Sequence, residues 1–400
     1  VQHIVPERAG PWHDAPVRIV AIARVFPNRL EPLEGPFNRQ QFQALGAHAG
    51  VPVHVLHAVP AFPFAALTGK PARAALLASL PDTDVVDGMP VTTMRHGYVP
   101  RIGLPVALPL FEHALGRHEA RLREADAILG SWAFPDGCAA VRVAKRLKKP
   151  CVVKMHGSDV NVVAKHPVAA RAIREHLAHA DAVVVMAKSL GRALEDLGVP
   201  RSRIALVPNG IDGARFFPRS LDDVRAAEGT GAAGPVVLFI GRLEPQKGLG
   251  DLLDAWPRVR QAIPKAILRL VGVGPLDARA ANTAGVEVLG ARKHEAIASE
   301  LHRASLFVLP SWAEGMPNVV LEALACGRPV VGTNVGGIPD ALASDVAGSV
   351  VAARDPRALA DAVVARLERG FEPREIAAFG PPSWGESGRV LCELIASVRR

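Results

Sequence analysis

Residues 306–331 read LFVLPSWAEGMPNVVLEALACGRPVV. The first four are unbroken aliphatic and aromatic residues, the composition of a strand buried on both faces of a parallel sheet. A loop with Gly and Pro follows. Pro317 or Asn318 then opens a helix, Gly327 stops it, and Pro329 lies just beyond. Another apolar run begins at Pro329. The stretch reads as strand, loop, helix, glycine stop, strand.

The same rhythm extends in both directions. Short β-rich runs occupy 17–23, 51–56, 127–130, 151–155, 182–186 and 204–207, and again 236–240, 267–271, 286–289, 306–309 and 329–333. Helical stretches such as 251–263 and 318–326 lie between them. Alternation of this kind predicts two doubly wound α/β domains. The stretch PNGIDGARFFP (208–218) follows a strand, is rich in Gly and Pro, and marks the hinge. The first domain is therefore drawn at 1–217. In open sheets of this class, ligands bind beyond the C-terminal ends of the strands.

Composition agrees. The chain has 400 residues, 49% hydrophobic and 22% charged, which excludes a disordered or fibrous protein. Its 4 cysteines form no C-x-x-C pair, so a zinc ribbon or disulfide framework is not expected and a reducing cytosol suits the chain. The net charge is +8, and residues 1–217 hold all of the surplus, with 26 Lys and Arg against 18 Asp and Glu. That asymmetry suits a first domain that meets an anionic surface or ligand, although Arg-rich composition drift produces the same count. The most apolar stretch, 51–67, is interrupted by Pro and His and does not read as a membrane span. Residues 1–16 carry no apolar core of signal-peptide type.

Three places carry chemistry. In VVLFIGRLEPQKGLG (236–250) a strand ends at Gly241, the loop holds Arg242 and Lys247, and a helix starts near Leu249. Cations beside a helix N-terminus are electrostatically misplaced unless an anion sits between them and the helix. A phosphate fits, because backbone N–H groups and the dipole favour it and the cations add charge-assisted hydrogen bonds. The alternative is that both side chains face water. Glu314 in the loop and Glu322 in the helix form the second place. Two carboxylates so spaced can reach different parts of one polyhydroxylated ligand, and Gly315 allows close backbone approach. Dipole compensation and a solvated helix face are the competing explanations. The third is His156, at the tip of the run CVVKMH; Asp159 either orients its ring or caps the next helix, and the cap is the preferred reading.

GRLEPQKG (241–248), VGVGP (271–275) and PSWAEGMPNVVLEALACGRPVVGTNVGGIPD (310–340), in this order and spacing, resemble the nucleotide-sugar-binding domain of glycosyltransferase family 4. HGSD (156–159), VPNGID (207–212) and FPN (26–28) followed by EGPFNRQQFQAL (34–45) resemble the family's N-terminal half. The overall pattern is also similar to bacterial transferases that build cell-wall or surface polysaccharides. The resemblance implies the GT-B fold, two Rossmann-like domains facing a central cleft, and sugar transfer with retention of configuration, without metal or other cofactor. It implies an acceptor-binding domain at 1–217, a nucleotide-sugar-binding domain at 218–380, and a helix at 381–400 that crosses back to the first. Arg242 and Lys247 match the pair that neutralises the donor diphosphate. Glu322 matches the ribose binder and Glu314 the residue that contacts the transferred sugar. Gly241, Gly315, Met316, Pro317, Asn318 and Val319 line sugar and phosphate. His156 matches the N-domain residue near the reaction centre and Gly35 the flexible glycine facing the diphosphate. Arg292 is a loose match to the base pocket.

The implied partners are a nucleoside-diphosphate sugar, with UDP and GDP both open, and a glycan or lipid-linked acceptor. The segment 61–67 (AFPFAAL) and the Arg-bearing 101–123 suit peripheral contact with an anionic membrane, hence a cytoplasmic protein at the inner face of the plasma membrane. Nucleic acid is not expected, because no basic patch is interleaved with aromatics. A GT-B nucleotide-sugar epimerase is the alternative enzyme, and a non-catalytic sugar-nucleotide sensor the alternative outside catalysis. Asp82-Thr83-Asp84 has a metal-site form but reads as a surface turn, and Gly272-Val273-Gly274 lacks the third glycine of a dinucleotide loop.

Overall fold

The computed structural model describes residues 16–32, 34–61, 72–97, 103–228 and 234–399. The chain forms two units, one built from residues 1–210 and 384–400, the other from 211–383. The sequence draws the borders at 217/218 and 380/381. Packing draws them a few residues away, because Ile211 bridges to Ser383 and Phe216 is buried in the core of the second unit.

Unit 1 contains β1 (Ile19–Ala23), β2 (His54–Ala61), β3 (Thr83–Val86), β4 (Met89–Gly97), β5 (Ala127–Ser131), β6 (Cys151–Lys154), β7 (Ala182–Val185) and β8 (Ile204–Leu206). They form one sheet in the order β3-β4-β2-β1-β5-β6-β7-β8. All neighbours are parallel except the β3–β4 hairpin. The continuous aliphatic runs of β1, β5, β6 and β7 are buried along their whole length, as strands covered on both faces require. The C-terminal helix Trp384–Ser397 completes this unit. Its Leu391, Cys392, Leu394 and Ile395 join the same core as Ala21, Leu45 and Leu129. Gly388 lets it lie close on the helix Pro36–Ala49, where an added Cβ would stand 2.6 Å from the Ala44 Cβ.

Unit 2 contains β9 (Val236–Ile240), β10 (Ile267–Val271), β11 (Val286–Gly290), β12 (Leu306–Leu309), β13 (Val330–Thr333) and β14 (Gly348–Val351), all parallel, in the order β11-β10-β9-β12-β13-β14. The chain builds outward from β9 to β11, then returns to the other side of β9 with β12. The winding therefore reverses between β9 and β12, the kind of switch point at which open sheets of this class bind ligands. The corresponding reversal in unit 1 lies between β1 and β5. Among the described residues no helix is long and apolar enough to cross a membrane.

Candidate active site

In unit 2 the loops after β9 and β12 meet at the switch point. Gly248, at φ 69°, ends the short turn Pro245–Lys247, and a Cβ there would stand 1.8 Å from the Pro310 carbonyl oxygen. The Trp312 amide donates to the Gln246 carbonyl at 2.9 Å, and its indole Nε1 donates to Asp251 at 2.6 Å. These contacts fix Lys247 beside Glu314. Lys247 Nζ lies 2.7 Å from Glu314 Oε1, and the Ser311 hydroxyl donates to the same oxygen at 2.7 Å. Gly336 and Gly337 support the other side of this loop. The Gly337 amide donates to the Gly315 carbonyl at 2.6 Å, and an added Cβ on Gly336 would come within 2.2 Å of the Glu314 carbonyl oxygen.

Arg242 and Lys247 each have their own carboxylate. The Arg242 side chain is 73% exposed and its Nη2 lies 2.9 Å from Glu244 Oε1, whereas Lys247 is three-quarters buried against Glu314. Gly241 follows β9, and the Gly272 backbone crosses so close to its carbonyl that a Cβ would stand 1.8 Å away. Close loop approach therefore explains the glycines of GVG. Pro317 precedes the helix Asn318–Ala325 and Asn318 is its first residue. By helix geometry the amides of Asn318 and Val319 lack intrahelical acceptors. Gly315 and Met316 lie half-buried just before them, and Arg292 is exposed on the loop after β11.

Glu322 lies in the same helix and is only 6% exposed. It does not face solvent, since Val320, Leu321, Ala323 and Leu324 around it are also buried. Its Oε1 lies 2.8 Å from His294 Nε2, and its buried Oε2 has no hydrogen-bond partner. A buried carboxylate oxygen left unpaired is costly unless a ligand donates to it. His294 was not legible as a site residue: nothing local separates it from other histidines at a helix start.

In unit 1 a second cluster collects at the C-terminal ends of β1, β5 and β6. His156 follows β6. Its Nε2 lies 2.8 Å from the Ser131 hydroxyl, and its ring stacks on Trp132 at 5.6 Å and tilts against Phe37 at 5.3 Å. Burial, with the neighbouring Lys154 adding to it, holds this imidazole well below its ordinary pKa. Asp159 neither orients the ring nor caps the helix from outside. It sits fully buried within the short helix Ser158–Asn161 and accepts backbone N–H groups from Ala133, His156, Gly157 and Val160. Gly35, at φ 59°, begins the helix Pro36–Ala49, and a Cβ there would stand 2.6 Å from the Val25 carbonyl oxygen. One turn on, Asn38 and Gln41 accept hydrogen bonds from Lys154 Nζ, which is fully buried, with no carboxylate among the described residues at ion-pair distance. Across the β1–β5 reversal, Arg24 pairs with buried Asp136 and lies over the Trp132 ring.

The D-x-D stretch is not a turn. Thr83 and Asp84 belong to β3, and Asp82 and Asp84 are paired with Arg95 and Arg29. Part of the basic surface of the first half is paired: Arg123 with Glu119, Arg121 with Glu124, and Arg146 with Glu112 and Glu119. The segment 62–67 and Arg101 lie outside the described residues.

Residues 234–369 match the sequence family described as "Glycosyl transferases group 1", and residues 47–215 match that described as "Glycosyltransferase Family 4". The chain is 29% identical over 342 residues to the putative teichuronic acid biosynthesis glycosyltransferase TuaC of Bacillus subtilis, a match covering 80% of this chain and 82% of TuaC. It is 32% identical over 272 residues to a GDP-mannose-dependent alpha-(1-6)-phosphatidylinositol monomannoside mannosyltransferase of Mycolicibacterium smegmatis, covering 62% and 70%. Anabaena HepE, solved in complex with UDP, superposes with a TM-score of 0.64 at 17% identity, covering 96% of this chain and 97% of HepE.

Proposed function

This chain belongs to glycosyltransferase family 4 and has the GT-B fold, and from that premise we propose that it moves a sugar from a nucleoside-diphosphate sugar to an acceptor hydroxyl in polysaccharide or glycolipid assembly. The observation that carries the donor assignment is Glu322 Oε2, a buried carboxylate oxygen at the switch point that lacks a donor. A ribose hydroxyl supplies one. In the same unit, Lys247 and Arg242 are the cations for the diphosphate. Lys247 is already anchored, and the exposed Arg242 is free to exchange Glu244 for phosphate.

In the proposed reaction the acceptor oxygen bonds to the anomeric carbon as the bond from that carbon to the diphosphate breaks. Attack occurs on the face the diphosphate leaves, and a diphosphate oxygen takes the acceptor proton. The demand on the protein is to stabilise charge building on the leaving group, which fixed cations and N–H groups do well. Arg242, Lys247 and the first turn of the Asn318–Ala325 helix serve that purpose without a metal ion. Glu314 contacts the transferred sugar. His156, held neutral, and Gly35 act from unit 1, the acceptor-binding domain. The family matches favour transfer over epimerisation. Membrane contact is proposed for the helix Leu104–Gly116, whose Leu104 and Val106 are exposed in its first turn and which ends at the exposed Arg117.

Thermal-shift screening against UDP, GDP and ADP and their sugars tests the reading, followed by a product assay with and without a chelator. At least one diphosphate should stabilise the protein, and turnover should survive chelation. No response to any of them removes the donor assignment.

A further inference from the structure

We propose that Arg215 and His294 are positioning residues that set the orientation of Glu322 and so give the donor site its preference for a ribose over a deoxyribose. The inference rests on the donor reading above and concerns residues to which that reading gives no part.

All three side chains lie in unit 2. His294 is the first residue of the helix His294–Arg303. Its Nε2 is 2.8 Å from Glu322 Oε1, and its Nδ1 is 3.2 Å from Arg215 Nη1. A guanidinium has only N–H groups to offer. Nδ1 must therefore accept from Arg215, which puts the ring proton on Nε2, where it is donated to Glu322. The tautomer follows from the two neighbours. Arg215 is itself steered by Asp212, whose Oδ2 lies 3.8 Å from Nε, and the Phe216 ring rests against the imidazole at 5.4 Å. Asp212 ends the VPNGID stretch, so the relay runs from that motif to the helix of the second glutamate.

The consequence is directional. With Oε1 committed to His294, the carboxylate cannot turn that oxygen toward a ligand without breaking the relay. Oε2, which has no partner, is the oxygen left facing a hydroxyl. A hydrogen bond to a charged acceptor discriminates strongly against a ligand that lacks the donor.

The test measures binding of the diphosphate that stabilises the wild type best, and of its 2′-deoxy and 3′-deoxy forms. The wild type should bind at least one deoxy form roughly 10- to 100-fold more weakly. His294→Ala should reduce that ratio to below about threefold. His294→Gln should keep it, because the amide still donates to Glu322 and accepts from Arg215. Arg215→Met should fall between, and it decides the matter should His294→Ala not fold. A full ratio in both His294→Ala and Arg215→Met overturns the proposal. So does a ratio that collapses equally in His294→Gln, since His294 would then act only by packing. A wild type that binds ribose and deoxyribose forms equally overturns the relay's role and the pairing of Glu322 with ribose, while binding of a nucleoside diphosphate as such stands. A wild type that binds no nucleoside diphosphate overturns both.

Discussion

Lys154 and Glu322 are both buried charged side chains, but their surroundings differ. Glu322 has an oxygen waiting for a donor, whereas the Lys154 ammonium donates to the Asn38 and Gln41 amide oxygens and lies over the Phe37 ring. Burial pushes the Lys154 pKa down from 10.5 to about 7. Between those values the unfolded chain binds more protons than the folded one, so stability rises with pH. The four buried thiols act oppositely: burial raises each above its ordinary value of 9.0, so they favour the folded state less as pH climbs past about 9. The urea midpoint of the wild type should therefore increase from about pH 7 to 8.5, and that slope should be clearly smaller in Lys154→Met, the remainder coming from the buried histidines held below their ordinary value. A slope unchanged in the variant assigns it elsewhere. Kinetics test the other charged residues. Arg242→Ala and Lys247→Ala should each lower kcat/KM roughly 100- to 1000-fold, and a loss below threefold at both sites would remove them from the diphosphate. None of this burial is visible locally. GRLEPQKG and the two glutamates were legible as a pattern, but Lys247 on Glu314 and His294 on Glu322 depend on which loops meet.

At the scale of elements, Gly248 joins the 245–247 turn to the end of β12. Two penalties would fall on a substitution there, a left-handed backbone and an overlap with Pro310. Gly88 separates them: its φ is 78°, but an added Cβ there meets nothing within 4 Å. Gly248→Ala should cost about 2 kcal/mol or more, and Gly88→Ala about 1 kcal/mol. Equal losses in denaturant titrations would show that the contact with Pro310 contributes nothing. The same contrast explains which elements could be read in advance. Strands β9 and β12 are uninterrupted apolar runs and β10 is broken only by Arg269, so their bounds follow from composition. The edge strands β3 and β14 and the Thr- and His-bearing β4 lack such runs. β2 continues past Leu56 because His57 is tolerated in the interior and Pro60 lies near the strand end. One signal was available and unused: Asp87 and Gly88, both at positive φ between β3 and β4, form the two-residue turn that an Asp-Gly pair favours.

For the whole molecule, the decisive feature is that unit 1 is discontinuous in sequence and unit 2 is not. The helix Trp384–Ser397 was expected from family resemblance alone, because its role depends on where the chain returns. In the structure Gln41 Nε2 donates to the Ser387 hydroxyl at 3.0 Å, and that hydroxyl donates to the Pro208 carbonyl at 2.7 Å. Four side chains of this helix, Leu391, Cys392, Leu394 and Ile395, are buried in the core of unit 1. At roughly 1.5–3 kcal/mol for each large side chain, removing them costs about 5–9 kcal/mol before the lost hydrogen bonds. That is comparable with the whole stability of an ordinary domain, about 5–15 kcal/mol. A chain ending at residue 383 should therefore lose the calorimetric transition of unit 1 and keep that of unit 2. Because Lys247, His294, Glu314 and Glu322 all lie within 211–383, the surviving transition should still shift upward with the nucleoside diphosphate that stabilises the intact protein. Two intact transitions in the shortened chain would mean that unit 1 does not need its returning helix. A single transition that ignores the nucleotide would mean that donor binding requires residues outside unit 2.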